Sequence, residues 1–154
     1  MTGEPHFRAA KMRDFDAVLR LLLDDDVASG REDPEGARAA YEAAFAEMVT
    51  GRDSELLLME IGGSLVGMVQ LTVIPGLAHR GARRAQLETL RVASAERGRK
   101  LGERLVEHAL GRARERGCRI AQLTTDTGRR RAHAFYGRLG FTPSHVGFKR
   151  RIGP

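Results

Sequence analysis

The chain has 154 residues, 42% hydrophobic and 30% charged, a composition that fits one globular domain and excludes a mainly disordered chain. Lys and Arg total 26 against 20 Asp and Glu, a formal net charge of +6, which predicts an anionic partner. Lysine occurs only at Lys11, Lys100 and Lys149, so nearly all the positive charge is guanidinium, the group that forks onto phosphate or carboxylate. A single cysteine, Cys118, excludes an intrachain disulfide and a multi-cysteine metal site, and His6, His79 and His108 lack metal-ligand spacing. No metal is expected. Charges at Glu4, Arg8, Lys11, Arg13, Asp14 and Asp16 leave no apolar core for a secretory leader. No stretch approaches the roughly 18 apolar residues of a membrane span, so a cytoplasmic protein is expected.

In chain order, residues 7–11 read as a short first strand. Phe15, Val18, Leu19, Leu22 and Leu23 recur at helical spacing, and that helix runs into Asp24, Asp25 and Asp26. Asp33 before Pro34 is a helix start, with Ala37, Ala40, Tyr41, Ala44, Phe45 and Met48 as one apolar stripe. Residues 55–61 and 65–74 are aliphatic strands joined by a tight turn at Gly62 and Gly63. A polar loop over 77–84 leads to a strand over 85–92, then to an arginine-rich loop and a long helix. In that helix Leu101, Leu105, Val106, Ala109, Leu110 and Ala113 share a face, and Gly117 ends the run. Residues 118–125 form a strand, 130–138 a short helix, and 141–151 a last extended segment. With no repeat and no low-complexity linker, residues 1–154 are one domain, an α/β sheet with one parallel crossover.

The chemistry lies in the second half. A strand ending at Val92, a loop over 93–100 and a helix from Leu101 would present free backbone N–H groups to an anion, and Arg97, Arg99 and Lys100 add charge there. The run Arg97-Gly98-Arg99-Lys100-Leu101-Gly102 is neither a Walker loop nor a dinucleotide fingerprint, and alone it also fits a solvated basic loop. The two-residue period places Glu88 on the face of Leu90 and Val92, which predicts a desolvated carboxyl with a raised pKa. Pairing with Arg84 or Arg91 is the other reading of Glu88. No Gly-x-Ser-x-Gly elbow is present, and Cys118 reads as a small core residue, so no covalent nucleophile stands out.

From about residue 55 to 148 the sequence resembles the GCN5-related N-acetyltransferase (GNAT) superfamily. The residues that carry the resemblance are Leu65-Val66-Gly67, the Glu88 strand, the 97–102 loop, and Phe135-Tyr136 with Gly140-Phe141. The second half resembles the aminoalkylphosphonate-type small-amine acetyltransferases. The resemblance implies a mixed, mostly antiparallel central sheet flanked by helices, with one parallel strand-loop-helix-strand unit. It implies that Arg97, Gly98, Arg99, Lys100, Leu101 and Gly102 wrap the pyrophosphate of acetyl-CoA. The family pattern is Arg/Gln-x-x-Gly-x-Gly/Ala, and Lys100 stands where its first glycine is expected, either crowding the loop or itself meeting phosphate. The backbone around Leu90, Arg91 and Val92 would pair with the pantetheine arm. Asp126 stands where an asparagine often touches that arm. Tyr136 matches the general acid that protonates the departing thiolate, and Glu88 a position that often serves as general base.

Those roles meet a physical need. An alkyl amine has a pKa near lysine's, about 10.4, so at neutral pH it must lose a proton before it attacks a thioester. The resemblance therefore implies direct acetyl transfer to a small-molecule primary amine, with a protein lysine or N-terminus as the alternative acceptor. Homodimerisation is implied by resemblance alone. Arg129, Arg130 and Arg131 read as a solvated face, with the 3′-phosphate of CoA as a second reading. Asp24, Asp25, Asp26 and Glu32 either form an acidic surface or attract the cationic amine. A nucleic-acid-binding module is disfavoured by 5% aromatics, no tryptophan and no basic strand with interleaved aromatics. A CoA-binding regulator without turnover is the third reading.

Overall fold

The computed structural model describes residues 3–24 and 31–154. Its elements are β1 (His6–Ala9), α1 (Phe15–Leu23), α2 (Arg38–Thr50), β2 (Ser54–Ile61), β3 (Ser64–Ile74), α3 (Ala78–Gly81), β4 (Arg83–Val92), α4 (Leu101–Glu115), β5 (Cys118–Gln122) and α5 (Arg130–Arg138). The strands form one five-stranded sheet in the order β1-β2-β3-β4-β5. The first three neighbouring pairs are antiparallel, and β4 with β5 is parallel, as expected of the mixed sheet.

The sheet is covered on both faces because β2 and β3 are aliphatic on both. Alternate residues of a strand point to opposite faces. Leu57, Met59 and Ile61 therefore join Leu101, Leu105, Val106, Ala109 and Ala113 of α4 in one core. Leu56 and Leu58 join Phe15, Val18, Leu19 and Leu21 of α1 and Phe45 of α2 in the other. The β2–β3 hairpin turns on Gly62 and Gly63 with φ +58° and +80°, a pair of left-handed residues that glycine supplies without steric cost.

Two ionic clusters tie the elements at the rim. The Arg8 guanidinium donates to Asp14 at 2.7 Å and to Glu60 at 2.6 Å, fixing β1 against β2 and the turn before α1. Glu55 on β2 accepts from Arg112 at 2.8 and 2.9 Å and from Arg116, fastening the end of α4 to the sheet.

Three expectations about extent are corrected. α2 begins at Arg38 rather than at the Asp33-Pro34 start, because the Asp33 carboxylate accepts the Gly36 N–H at 2.9 Å and closes a separate turn. β5 ends at Gln122 rather than 125, since its last paired residue is Gln122 opposite Gln86 and β4 then leaves it. The 141–151 segment, expected to be extended, has no regular secondary structure and pairs with no strand among the described residues. α3 is one turn in which His79 and Arg80 have left-handed angles.

Candidate functional site

The site is assembled where β4 parts from β5. Opposite β3, Gln70 pairs with Glu88 and Met68 with Arg91, so Thr89 and Leu90 together face Val69. Two residues against one is a β-bulge, which bends its strand and increases the local twist. Thr89 sits at φ +52°, a left-handed position that is strained for a β-branched residue. Past Gln86 the β5 side of β4 has no strand partner among the described residues, so the backbone of Leu90, Arg91 and Val92 borders a gap.

The bulge also corrects the expected face of Glu88. An extra residue between Glu88 and Leu90 breaks the two-residue period, so the two no longer share a face. Leu87, Leu90 and Val92 pack towards the α4 core, whereas Glu88 shares the other face with Gln70, Gln86 and Arg84. There Glu88 is exposed, and the expectation of a desolvated carboxyl fails for that reason. Among the described residues it forms no ion pair, with Arg84 and Arg91 included. Gln86 accepts a hydrogen bond from Gln122 Nε2 at 2.8 Å on the same face, and Arg84 Nε is buried there without a hydrogen-bond partner.

Next to the gap lies the basic loop. Ala93 donates its N–H to Val66 O at 2.8 Å, which carries the chain off the end of β4. Gly98 at φ +80° and Lys100 at φ +57° then curl it into α4. Lys100 is the N-cap residue of α4 but offers no capping side-chain hydrogen bond. The first-turn N–H groups of α4 thus lack both intrahelical acceptors and a cap, which leaves a concentrated donor array at the positive end of the helix dipole. A cleft of ≈ 660 Å³ opens over them, walled by Val92, Arg97, Gly98 and Lys100 on one side and by Phe135 and Arg138 of α5 on the other.

The loop's charges are not equivalent. Arg99 is ion-paired with Glu96, which is only 6% exposed. Arg97 donates to Asp24 O at 3.3 Å, and the Asp24 carboxylate accepts the Ser94 N–H at 2.7 Å. Those hydrogen bonds from Ser94 hold the Asp24 carboxyl below its usual range. Asp24 therefore tethers the loop to α1. Asp25 and Asp26 lie outside the described residues, and Glu32 accepts from the Tyr41 hydroxyl at 2.5 Å.

α5 brings Tyr136 to the same region. Gly140 at φ +85° stops the helix, and the Tyr136 carbonyl accepts the N–H groups of Leu139 and Phe141, both at 3.1 Å. The returning chain sets Phe141 edge-on to the Tyr136 ring at 5.9 Å, while Phe135 meets that ring at 5.0 Å. Burial pushes the Tyr136 phenol above its ordinary pKa, opposed by the charges of Arg129 and Arg91. Gly102 fixes how α5 docks, since a Cβ there would stand 3.3 Å from the Phe135 ring. Asp126 is exposed and accepts the Gly128 N–H at 2.8 Å, while its carbonyl accepts from His133 Nε2 at 2.9 Å. Its carboxylate thus closes a turn before α5.

Sequence reasoning missed Thr89 and the Gln86–Gln122 pair, and it named Asp24 and Arg84 in other roles. A left-handed threonine and a long-range tether leave no pattern in a single sequence.

A strand splayed at a bulge lies beside a basic loop that enters a helix, so unpaired strand backbone stands next to uncapped helix N–H groups. The family model for the acetyltransferase (GNAT) family matches residues 15–141, and the chain belongs to that family. It is 31% identical over 113 residues to the aminoalkylphosphonate N-acetyltransferase of Salmonella typhimurium, covering 73% of each chain. Among solved structures it resembles one from Bacillus halodurans described as a transcriptional regulator, with TM-score 0.90, 39% identity, and 97% and 100% of the two chains covered. It also shares its fold with glucosamine-6-phosphate N-acetyltransferase from Arabidopsis thaliana, with TM-score 0.77, 17% identity, and coverage of 97% and 99%.

Proposed function

We propose that this acetyltransferase moves an acetyl group from acetyl-CoA to the primary amine of a small molecule that also carries an anionic group. The observation that carries the reading is the bulged, splayed end of β4 beside an uncapped helix start. An extended thioester arm can hydrogen-bond to the unpaired β4 backbone over Leu90, Arg91 and Val92. A pyrophosphate can take the α4 N–H groups, with Arg97 and Lys100 as neighbouring cations. The residues present fit acetyl-CoA in shape and in charge.

In this reading Glu88, exposed on the open face of β4, takes the proton from the acceptor ammonium directly or through water. The freed amine attacks the thioester carbonyl in a ternary complex. Tyr136, a phenol that is protonated at neutral pH, gives its proton to the departing thiolate. Each proton transfer contributes about 10²- to 10⁴-fold. Support for an anionic acceptor comes from Arg84 and Arg91 near Glu88, from Arg129 beside Tyr136, and from the substrate named for the Salmonella relative.

Thiol release from acetyl-CoA should be measured with an aminoalkylphosphonate and with an uncharged alkylamine of equal length. The phosphonate should give the higher kcat/KM, and an equal preference would remove the anionic requirement. Tyr136→Phe should lower kcat about 10²-fold or more with acetyl-CoA affinity retained. Glu88→Gln should lower kcat/KM about 10²-fold or more at neutral pH. A Tyr136→Phe enzyme with unchanged kcat at every pH would remove the phenol from the mechanism.

A further inference from the structure

We propose that Arg84, assisted by Gln86, is the side chain that selects the anionic group of the acceptor, so that the acceptor lies along the open face of β4. This role rests on the proposed acetyl transfer to an anionic amine and names the residue that reads the anion.

Among the described residues the half-buried arginines are Arg8, Arg84, Arg91, Arg112 and Arg116. Taking a guanidinium out of water is costly unless a partner compensates for the lost hydration. Arg8 is ion-paired with Asp14 and Glu60, and Arg112 and Arg116 with Glu55. Arg91 donates to Leu90 O at 2.9 Å. Arg84 differs from the other four: among the described residues it makes no hydrogen bond and no ion pair, and its Nε is buried. The register explains its isolation. Its neighbours across the sheet are Ile74 on β3 and Ile120 on β5, so no carboxylate stands opposite it on either side. A planar fork of N–H donors, flanked by isoleucines and left unpaired, suits bidentate capture of a phosphonate.

The next residue on that face supplies another donor. Gln86 Oε1 accepts from Gln122 Nε2 at 2.8 Å, which fixes the amide and leaves the Gln86 NH₂ group to donate. Gln122 is thus a positioning residue for Gln86. Glu88 follows on the same face, exposed and without an ion pair. At a rise of about 3.3 Å per residue, positions 84, 86 and 88 succeed one another every ~6.6 Å along the strand. Glu88 is the member nearest the bulge at Thr89, where β4 has parted from β5. That order gives the acceptor a direction. Its anionic group meets Arg84 and Gln86, and its amine meets Glu88 at the end of the face that borders the gap in the sheet. An uncharged amine leaves the guanidinium unpaired, and a site built to pair a group discriminates against the analogue that lacks it.

The test is a preference ratio, kcat/KM for an aminoalkylphosphonate divided by that for an uncharged alkylamine of equal length. In Arg84→Met the ratio should fall about 10- to 100-fold from wild type, the size of a hydrogen-bonded contact to a charged group, with acetyl-CoA affinity retained. Arg84→Lys, which keeps the charge and loses the fork, should give an intermediate ratio. A ratio cancels any general loss of folded enzyme. Calorimetric titration of the aminoalkylphosphonate into protein saturated with CoA reads the same contact without turnover, and Arg84→Met should weaken that binding about 10- to 100-fold. A wild-type preference that Arg84→Met retains overturns the role of Arg84 and leaves the anionic-acceptor reading standing. A wild-type enzyme that shows no preference, or that does not bind the phosphonate, overturns both, and that failure is seen before any variant is made.

Discussion

Lys100 occupies a backbone position that suits glycine, at φ +57° and ψ 19°. The left-handed conformation costs a non-glycine residue about 1–2 kcal/mol, against the roughly 0.5–1 kcal/mol of extra chain entropy that glycine loses on folding. Lys100→Gly should therefore raise stability by up to about 1.5 kcal/mol in a denaturant melt. The same variant removes an ammonium from the cleft wall, so its calorimetric affinity for acetyl-CoA should fall about three- to tenfold, the size of a lost charged hydrogen bond to an exposed phosphate. Tighter binding would mean that the lysine crowds the loop. Lys100→Ala, which keeps the strain and loses the charge, separates the two effects. The departure from the family's glycine pattern is thus a departure in residue type, since the backbone still takes the glycine conformation.

At the scale of elements, the site depends on α5 resting against the first turn of α4. Phe135 fills the space that a side chain at position 102 would need: a Cβ there would lie 3.3 and 3.4 Å from two atoms of its ring and 3.9 Å from Val92. Gly102→Ala should be nearly neutral in stability, because the tight contact is offset by alanine's gain of about 1 kcal/mol in helix propensity. Gly102→Val should cost about 1–3 kcal/mol, the usual penalty of overpacking, and should move α5 away from the cleft. A thermal melt together with acetyl-CoA titration checks this, and a valine variant that matches wild type in both would detach Gly102 from the docking of α5. The glycine at the end of the basic run therefore serves helix–helix contact.

For the whole molecule, His108 is expected to add to acid sensitivity. Its ring stacks on Phe7 with centroids 4.4 Å apart and planes 13° apart, joining α4 to β1. Burial pushes the imidazole below its ordinary value of 6.5, Glu115 opposes that and Arg112 adds to it. A histidine with a lowered folded pKa binds protons more readily when unfolded. Its contribution is then complete above about pH 6.5 and is lost as the pH falls towards the folded pKa. His108→Phe keeps an aromatic stack and removes the titration. Its melting temperature should fall less than that of wild type between about pH 7.5 and 5.5. Equal falls would show that the His108 imidazole does not contribute to acid sensitivity. The carboxylates common to both proteins cancel in the comparison.

What the sequence determined by itself is what local chemistry controls. The apolar period placed α1 and α4, the paired glycines at 62 and 63 made the hairpin, and near-continuous aliphatics made β2 and β3 apolar on both faces. The spacing of the 97–102 run and of Tyr136 with Gly140-Phe141 carried the family, because those residues stand close together in the chain. The tertiary structure decided what depends on distant partners. Glu88 changed face because one extra residue opposite Val69 shifts the register, and register is a property of two strands. β5 stopped at Gln122 because β4 left it. Asp24 became a loop tether because Ser94, 70 residues away, came within 2.7 Å. The last segment reads as extended, yet a strand also needs a neighbour to accept and donate its hydrogen bonds, and the described residues supply none.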